Sequence, residues 1–321
     1  MRTLAAGSNQ VHLVIATDSQ KRERDLLTHA AWGQRLSVED YGRREIRLRA
    51  HPWCADAMTT WLWRDDAGSV LASCETFRMR SFVRGGSASV TFGVASVFTE
   101  ERLRGHGHAS AMMRALGDEL RLREPGAHGV LLFSEVGATL YERAGFAPRF
   151  FHDRLVPARA GAAPAAVEWI RDAELDTALA AFPLPEARFV VWPTAAQIDW
   201  HLERARIYAD LMGRTPPAIC GAAIGGARAL WAADFKNERL AVLLASAPDG
   251  ETAAALVAAA ADRAAEAGLR EVRIWETPSL PLPDALGTRV RRDDDALPML
   301  LPFAPDVRAA DWDDVPRALW I

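Results

Sequence analysis

The stretch Val90–Leu120 constrains the chain most, because it reads as a strand, a glycine-punctuated loop and an amphipathic helix in direct succession. Val90, Phe92 and Val94 alternate at strand period and lead into the apolar pair Val97-Phe98. Beyond the loop, Ala109, Met112, Met113, Leu116 and Leu120 fall on one helical face. Between these two patterns lies Arg104-Gly105-His106-Gly107-His108-Ala109. Its small residues stand where the first helical N–H groups have no partner inside the helix. Unpaired donors at the positive end of a helix dipole suit a phosphate. A P-loop would need Gly-Lys-Ser/Thr, and no Lys is present here. A dinucleotide fingerprint fits poorly, since Gly105-x-Gly107-x-x-Ser110 lacks the third glycine and the preceding strands read as antiparallel.

Arg104-x-x-Gly107-x-Ala109 does match a third phosphate pattern, Arg/Gln-x-x-Gly-x-Gly/Ala. A second segment follows in order: Leu140-Tyr141-Glu142-Arg143-Ala144-Gly145-Phe146, after a strand at Gly129–Phe133. On these two motifs the chain resembles the Gcn5-related N-acetyltransferase (GNAT) superfamily. The resemblance implies that the backbone N–H groups of Arg104, Gly105, His106, Gly107, His108 and Ala109 hold the pyrophosphate of acetyl-CoA. It also implies an oxyanion donor on the backbone near Phe98 or Thr99, contact of the pantetheine arm with Val97 and its neighbours, and Tyr141 as general acid. A narrower resemblance rests on Leu71-Ala72-Ser73-Cys74-Glu75-Thr76-Phe77, Ala95-Ser96-Val97-Phe98-Thr99, and Trp231-Ala232-Ala233-Asp234-Phe235 followed by Asn237. These look like the fungal lysine N6-acetyltransferase family, which joins a GNAT domain to a C-terminal domain and acetylates the ε-amine of free L-lysine.

The order of elements is α+β. A strand at Val11–Thr17 precedes a helix capped by Asp18-Ser19 and ending near Trp32, and a second helix starts after Ser37. Strands at Met58–Arg64 and Val70–Val83 lead through the turn Arg84–Ser87 into the Val90 strand, and Phe146–Leu155 reads as the closing strand of a GNAT domain over residues 1–156. Residues 157–164, PARAGAAP, read as a linker. Residues 165–321 read as a second, degenerate GNAT-like domain, with helices at Ala173–Phe182, Thr194–Gly213 and Ala254–Ala267 and strands at Ala218–Ile224, Ala227–Asp234, Leu240–Ser246 and Glu271–Trp275. Its equivalent of the phosphate loop, Ala247-Pro248-Asp249-Gly250-Glu251, carries two acids that repel an anion, so this half is expected not to bind CoA. The acidic, Pro-rich tail from Asp293 is expected to pack on the body.

Composition narrows the partners. Of 321 residues, 50% are hydrophobic, enough for two cores, and a net charge of −4 provides no basic surface for nucleic acid or an anionic membrane. Cys54, Cys74 and Cys220 form no CxxC pair, so neither a disulfide framework nor a metal site is expected. No apolar run approaches membrane-spanning length, which leads us to expect a cytoplasmic protein, monomer or homodimer, acting on a small-molecule amine.

An alkyl ammonium is about 99.9% protonated at neutral pH, so acetylation needs a proton acceptor. Glu75, an acid inside an apolar strand, is the candidate base, with Glu135 as the weaker one; a salt-bridged Glu75 is the competing reading. Tyr141 competes as a core aromatic, and the Glu100-Glu101 pair reads as solvated. In the second half, Trp192, Asp199, His201, Trp231, Asp234 and Asn237 would suit an amine-bearing substrate, against ordinary core and capping roles. Acetylation of an aminoglycoside, a polyamine or a protein N-terminus, and a non-catalytic acyl-CoA regulator, remain the alternatives to lysine.

Overall fold

Our computed structural model describes residues 10–321 except Ser87 and Asp294, so the turn assigned to Ser87 and the first nine residues of the expected N-terminal domain lie outside the described residues. The first half runs β1 (Val11–Ile15), α1 (Asp18–Trp32), α2 (Val38–Ala50), α3 (Pro52–Ala57), β2 (Met58–Asp65), β3 (Val70–Val83), β4 (Ala88–Phe98), α4 (His108–Arg123), β5 (Gly129–Ser134), α5 (Thr139–Glu142), β6 (Ala147–Pro148) and β7 (Phe151–Pro157). The second runs β8 (Glu168–Ile170), α6 (Leu175–Ala180), β9 (Phe189–Trp192), α7 (Ala195–Leu211), β10 (Gly221–Ile224), β11 (Ala227–Asp234), β12 (Arg239–Ser246), α8 (Gly250–Glu266), β13 (Glu271–Trp275), β14 (Thr288–Arg292) and β15 (Leu297–Pro302).

Local chemistry sets the helix starts. Thr17, one residue before the Asp18-Ser19 pair, caps α1 in a reciprocal box with Gln20, and Ser37 accepts from the Asp40 amide at the start of α2. Strand β3 spans Val70–Val83 and pairs antiparallel with β2 and β4.

The two sheets repeat one plan. The first is ordered β1-β2-β3-β4-β5-β15-β6, with β9 paired to β3; the second is ordered β14-β7-β13-β12-β11-β10-β8. In each, one parallel pair (β4/β5 and β12/β13) is bridged by one helix (α4 and α8), as in a right-handed crossover unit. The strand beside β5 is not the expected Phe146–Leu155. Residues Phe151–Pro157 instead pair with β13 and β14 in the second sheet. Their place in the first sheet is filled by β15 from the tail, antiparallel to β5 over Leu297↔Ser134 to Pro302↔Gly129. Each half thus lends the other its last strand. Only Arg149 and Phe150 separate β6 from β7, which go to different sheets, and strand propensity alone does not distinguish the two partners.

Of the four apolar clusters among the described residues, three bear on this exchange. One lies under α4 (Met112, Met113, Leu116, Phe92, Val130), one under α8 (Leu256, Ala260, Trp231, Val272). A third joins the halves through Phe77, Trp200, Trp275, Leu300 and Trp312. Among the described residues no helix is long and apolar enough to cross a membrane.

Leu300 is fully buried on a strand contributed by one half to the sheet of the other. Leu300→Ala should lower the unfolding free energy by about 2–5 kcal/mol, read as a reduced urea midpoint. Because the exchange ties the sheets together, far-UV dichroism and tryptophan fluorescence should move in one transition; two separated transitions would contradict it.

Candidate active site

The site begins where β4 and β5 part. Their parallel pairing ends at Val94↔Leu132, while β4 continues to Phe98 and β5 to Ser134. At the same place β4 bulges against β3: Ser73 pairs with Phe98 and Glu75 with Ala95, so Ser96 and Val97 stand opposite the single Cys74. Ser96 takes φ 53°, the left-handed turn that accommodates the extra residue. Val97, Phe98 and Thr99 therefore leave the ladder and line the opening between the parted strands.

The loop after β4 delivers the mouth of α4 to that opening. Gly107, with φ 80°, is the N-cap, and no side chain caps the helix. Gly105 stands at φ 82°, and a Cβ built on either glycine meets nothing within 4 Å. The first amides of α4 thus face open space, which fits the diphosphate of a CoA thioester. Arg104, Gly105, Gly107, His108 and Ala109 line the same cavity. The Arg104 Nε donates to the Thr99 carbonyl at 3.2 Å, and the His106 ring stacks on His108 with its Nδ1 3.3 Å from the Leu103 carbonyl.

At the corresponding place in the second half the helix end is closed. Asp249 caps α8 and accepts from the Thr252 amide at 2.8 Å, its carboxyl held below the ordinary range mainly by that hydrogen bond.

Tyr141, on the short turn α5, is 7% exposed and reaches the cavity from below β5. Burial, then Cys74 and Glu135, push its phenol above the ordinary value, so it keeps its proton at neutral pH. Glu75 is 6% exposed and ion-paired: Arg24 Nη1 donates to its Oε1 at 3.1 Å. The same guanidinium donates to Ser73 Oγ at 2.9 Å and to the Ser96 carbonyl at 2.6 Å. Arg24 therefore fixes Glu75 and the bulge as one unit. Glu135 also lines the cavity, whereas Glu100 pairs with Arg102 outside it.

The cavity, of about 1010 Å³, is lined from both halves. Asp234 and Asn237 reach it, with Asn237 Nδ2 donating to Asp234 Oδ2 at 2.8 Å and Arg239 Nε 3.0 Å from that oxygen. The other second-half candidates do not. Trp192 and Trp231 are core side chains, and Asp199 binds His51 and Arg206. His201 is buried against the Ala318 carbonyl at 2.9 Å.

Sequence reasoning missed several lining groups: Arg24, Glu45 and Arg49 on α1 and α2, Trp200 and Arg204 on α7, and Arg317 near the tail end. Burial pushes Glu45 up, reinforced by Glu75 and Asp25. These residues sit on amphipathic helices that read as solvated faces, and only tertiary packing turns them inward.

His201 is held down to about 3 by burial, with Arg317 and Arg204 adding to the effect. Its folded value thus lies below the unfolded one, near 6.5, so its contribution is present above that pH and lost as the unfolded chain takes up the proton in acid. Against wild type, His201→Gln should reduce the stability lost between pH 7 and pH 5 by about 2 kcal/mol, measured by urea unfolding at both values. An unchanged pH dependence would mean His201 is not held neutral.

Residues 167–320 match the family described as the LYC1 GNAT-like C-terminal domain. A lysine acetyltransferase from Yarrowia lipolytica is 23% identical over 327 residues, covering 82% of this chain and 83% of that protein. The crystal structure of a GCN5-related N-acetyltransferase from Kribbella flavida superposes with a TM-score of 0.57 at 18% identity, covering 91% of this chain and 71% of that one. Eis1 from Mycobacterium abscessus gives 0.54 at 14% identity, over 92% and 74%. At these identities the structural likeness is one of fold. The chain therefore has the fold of these GNAT structures, and its residues 167–320 are similar to the LYC1 GNAT-like C-terminal domain.

Proposed function

We propose that the protein is an acetyl-CoA-dependent N-acetyltransferase that acetylates the amine of a small molecule, the ε-amine of L-lysine first, by direct transfer in a ternary complex. The observation that carries this reading is the uncapped N-terminus of α4 opening beside the parted β4 and β5 onto a cavity that Tyr141 also lines. The name of the Yarrowia lipolytica relative supports lysine as the acceptor.

When bound, acetyl-CoA supplies an activated thioester. The amides from Gly105 to Ala109 hold its diphosphate, the Arg104 amide expected among them being taken instead by the Glu101 carbonyl at 3.1 Å, and Val97, Phe98 and Thr99 guide the pantetheine arm between the strands. A backbone N–H near Phe98 or Thr99 donates to the developing oxyanion. Glu75, oriented through Arg24, binds the acceptor ammonium and takes its proton, with the half-buried Glu45 lining the same cavity. Tyr141 gives its proton to the departing thiolate, a role suited to a phenol that burial keeps neutral. The C-terminal half closes the acceptor side of the cavity, and the diphosphate stays at α4 because Asp249 already occupies the mouth of α8.

Thiol release from acetyl-CoA, measured across a panel of amines that includes lysine, should accelerate with an amine acceptor. Tyr141→Phe should lower kcat by about 10²- to 10⁴-fold while the acetyl-CoA Kd stays within about twofold. Gly107→Val, which must hold a left-handed φ and places methyl groups before the amides, should weaken acetyl-CoA binding at least about tenfold. Tight binding of acetyl-CoA with no turnover on any amine would identify a regulator and overturn the enzyme reading.

A further inference from the structure

We propose that Lys236 is a site of self-acetylation, its amine taking the acetyl group of a CoA thioester bound in the same cavity when no acceptor amine is present. This rests on the acetyltransferase reading above and goes beyond it in assigning a covalent modification to the second half of the chain.

The selection is chemical. Of the 38 Lys and Arg residues, only Lys21 and Lys236 carry a side-chain amine, and an always-charged guanidinium is no acetyl acceptor. Lys21 lies on α1, paired with Asp18 at 3.0 Å, and does not line the cavity. Lys236 does line it, and among the described residues it is the one side-chain amine on that wall. The guanidinium groups that share the wall, those of Arg104, Arg143, Arg204 and Arg317, cannot compete for the acetyl group whatever their own pairing.

The fold brings this amine towards the reacting end. Lys236 stands in the turn between β11 and β12, where Phe235 is fully buried and Asp234 accepts from the Asn237 amide at 3.2 Å. Arg35, just beyond α1, fastens the turn to the first half, reaching the Phe235 carbonyl at 3.5 Å and Glu238 at 3.3 Å. Between these anchors the Lys236 Nζ donates to the Trp32 carbonyl at 3.4 Å. The neighbouring acids are already taken, Glu238 by Arg35 and Asp234 by Arg239. The Trp32 ring packs edge-on against Phe98 at 5.9 Å, and Phe98 ends the strand beside which the acetyl group would sit. A single residue thus separates the amine from that strand end. From the other side, the Glu135 carboxylate acts on both the Tyr141 phenol and the Lys236 ammonium, which sets phenol and amine around one acid.

Lys236 is also suited to attack. Its Nζ loses only one long hydrogen bond on turning to the thioester. Burial, then Arg204 and Arg44, hold its ammonium below the ordinary lysine range against Asp234 and Glu135, so more of it is neutral than of an exposed lysine. The neutral nitrogen adds to the thioester carbonyl, the C–N bond forms and the C–S bond breaks. The departing thiolate takes the Tyr141 proton, and the surplus proton on nitrogen goes to Glu135. One proton is lost at nitrogen and one gained at sulfur, so the step needs no further reactant. Holding the amine in the cavity replaces a bimolecular encounter, which favours Lys236 over an amine outside it.

The test incubates the intact protein with acetyl-CoA and no amine, and reads intact mass and peptide maps. One acetyl group per chain should appear on Lys236, at least about tenfold faster than on Lys21 and at a rate independent of protein concentration. Tyr141→Phe should slow the labelling at least about tenfold, and Lys236→Arg should abolish the added mass. Equal labelling of Lys21, a rate that rises with protein concentration, or an undiminished rate in Tyr141→Phe would mean chemistry outside this cavity and overturn the proposal. Turnover of free amines with Lys236 left unmodified would overturn it too, and leave the acetyltransferase reading standing. Transfer to neither would overturn both. The wild-type measurement needs no variant to fold.

Discussion

The structure depends on the reciprocal exchange of β7 and β15. A parallel pair such as β4/β5 leaves the outer edge of β5 with unpaired N–H and C=O groups, and β13 has the same problem in the second sheet. Each edge is satisfied by a strand from the other half. The consequence reaches the site directly. With β15 committed to the first sheet, the tail that follows it must pass between the sheets, and this brings Arg317 and Trp320 to the cavity. A local hairpin of β6 and β7 would have left the two halves without this pair of shared strands, joined through β9 on β3 and the contacts of α2 with α7. The exchange instead makes the wall between them a shared apolar core.

On this doubled frame the two crossover helices have diverged at their first turns. Both α4 and α8 follow the second strand of an antiparallel pair and cross to a parallel neighbour. At α4 the cap is a glycine in the left-handed region and no side chain competes for the amides. At α8 an aspartate accepts from the amide of Thr252 and its charge faces the helix dipole favourably. The first arrangement gives up about 1 kcal/mol of capping and leaves donors free for an external anion; the second takes that stabilisation and forgoes the anion. One substitution class, glycine against aspartate at an N-cap, separates an open helix mouth from a closed one.

Much of this was legible in sequence because it rests on local rules. The strand, loop and helix of residues 90–120 carry their own periodicity, and Gly105 and Gly107 stand where positive φ is needed. The acids before α8 were legible as repelling an anion, but not as the cap of a helix that begins at Gly250, four residues before the expected Ala254. What sequence did not reveal is non-local. Strand β15, LPMLLP, is a short apolar run without alternation, buried on both faces, and nothing near it names β5 as partner. The short strand β9 and the hidden polarity of α2 and α7 escaped for the same reason. Arg44 is flanked by the rings of Tyr41 and Tyr208, at 5.3 and 5.2 Å, from two different halves. Glu75 was visible as an anomaly in an apolar strand, but its partner Arg24 lies on a helix that reads as solvent-facing.

The placement of charge around the cavity then follows from how α2 is fixed to α7. Arg47 on α2 reaches Glu203 and Asp210 on α7 at 3.2 and 2.9 Å, and His51 meets Asp199 at 3.1 Å. Individually such half-exposed pairs contribute little, about 0–1 kcal/mol each. Their effect here is geometric, because they sit on the outer side of the same helices whose inner sides carry Glu45 and Arg204. Pairing the outer charges across the halves sets the register of the inner ones. Glu45 from α2 and Arg204 from α7 thereby face one cavity, an arrangement that neither half has alone.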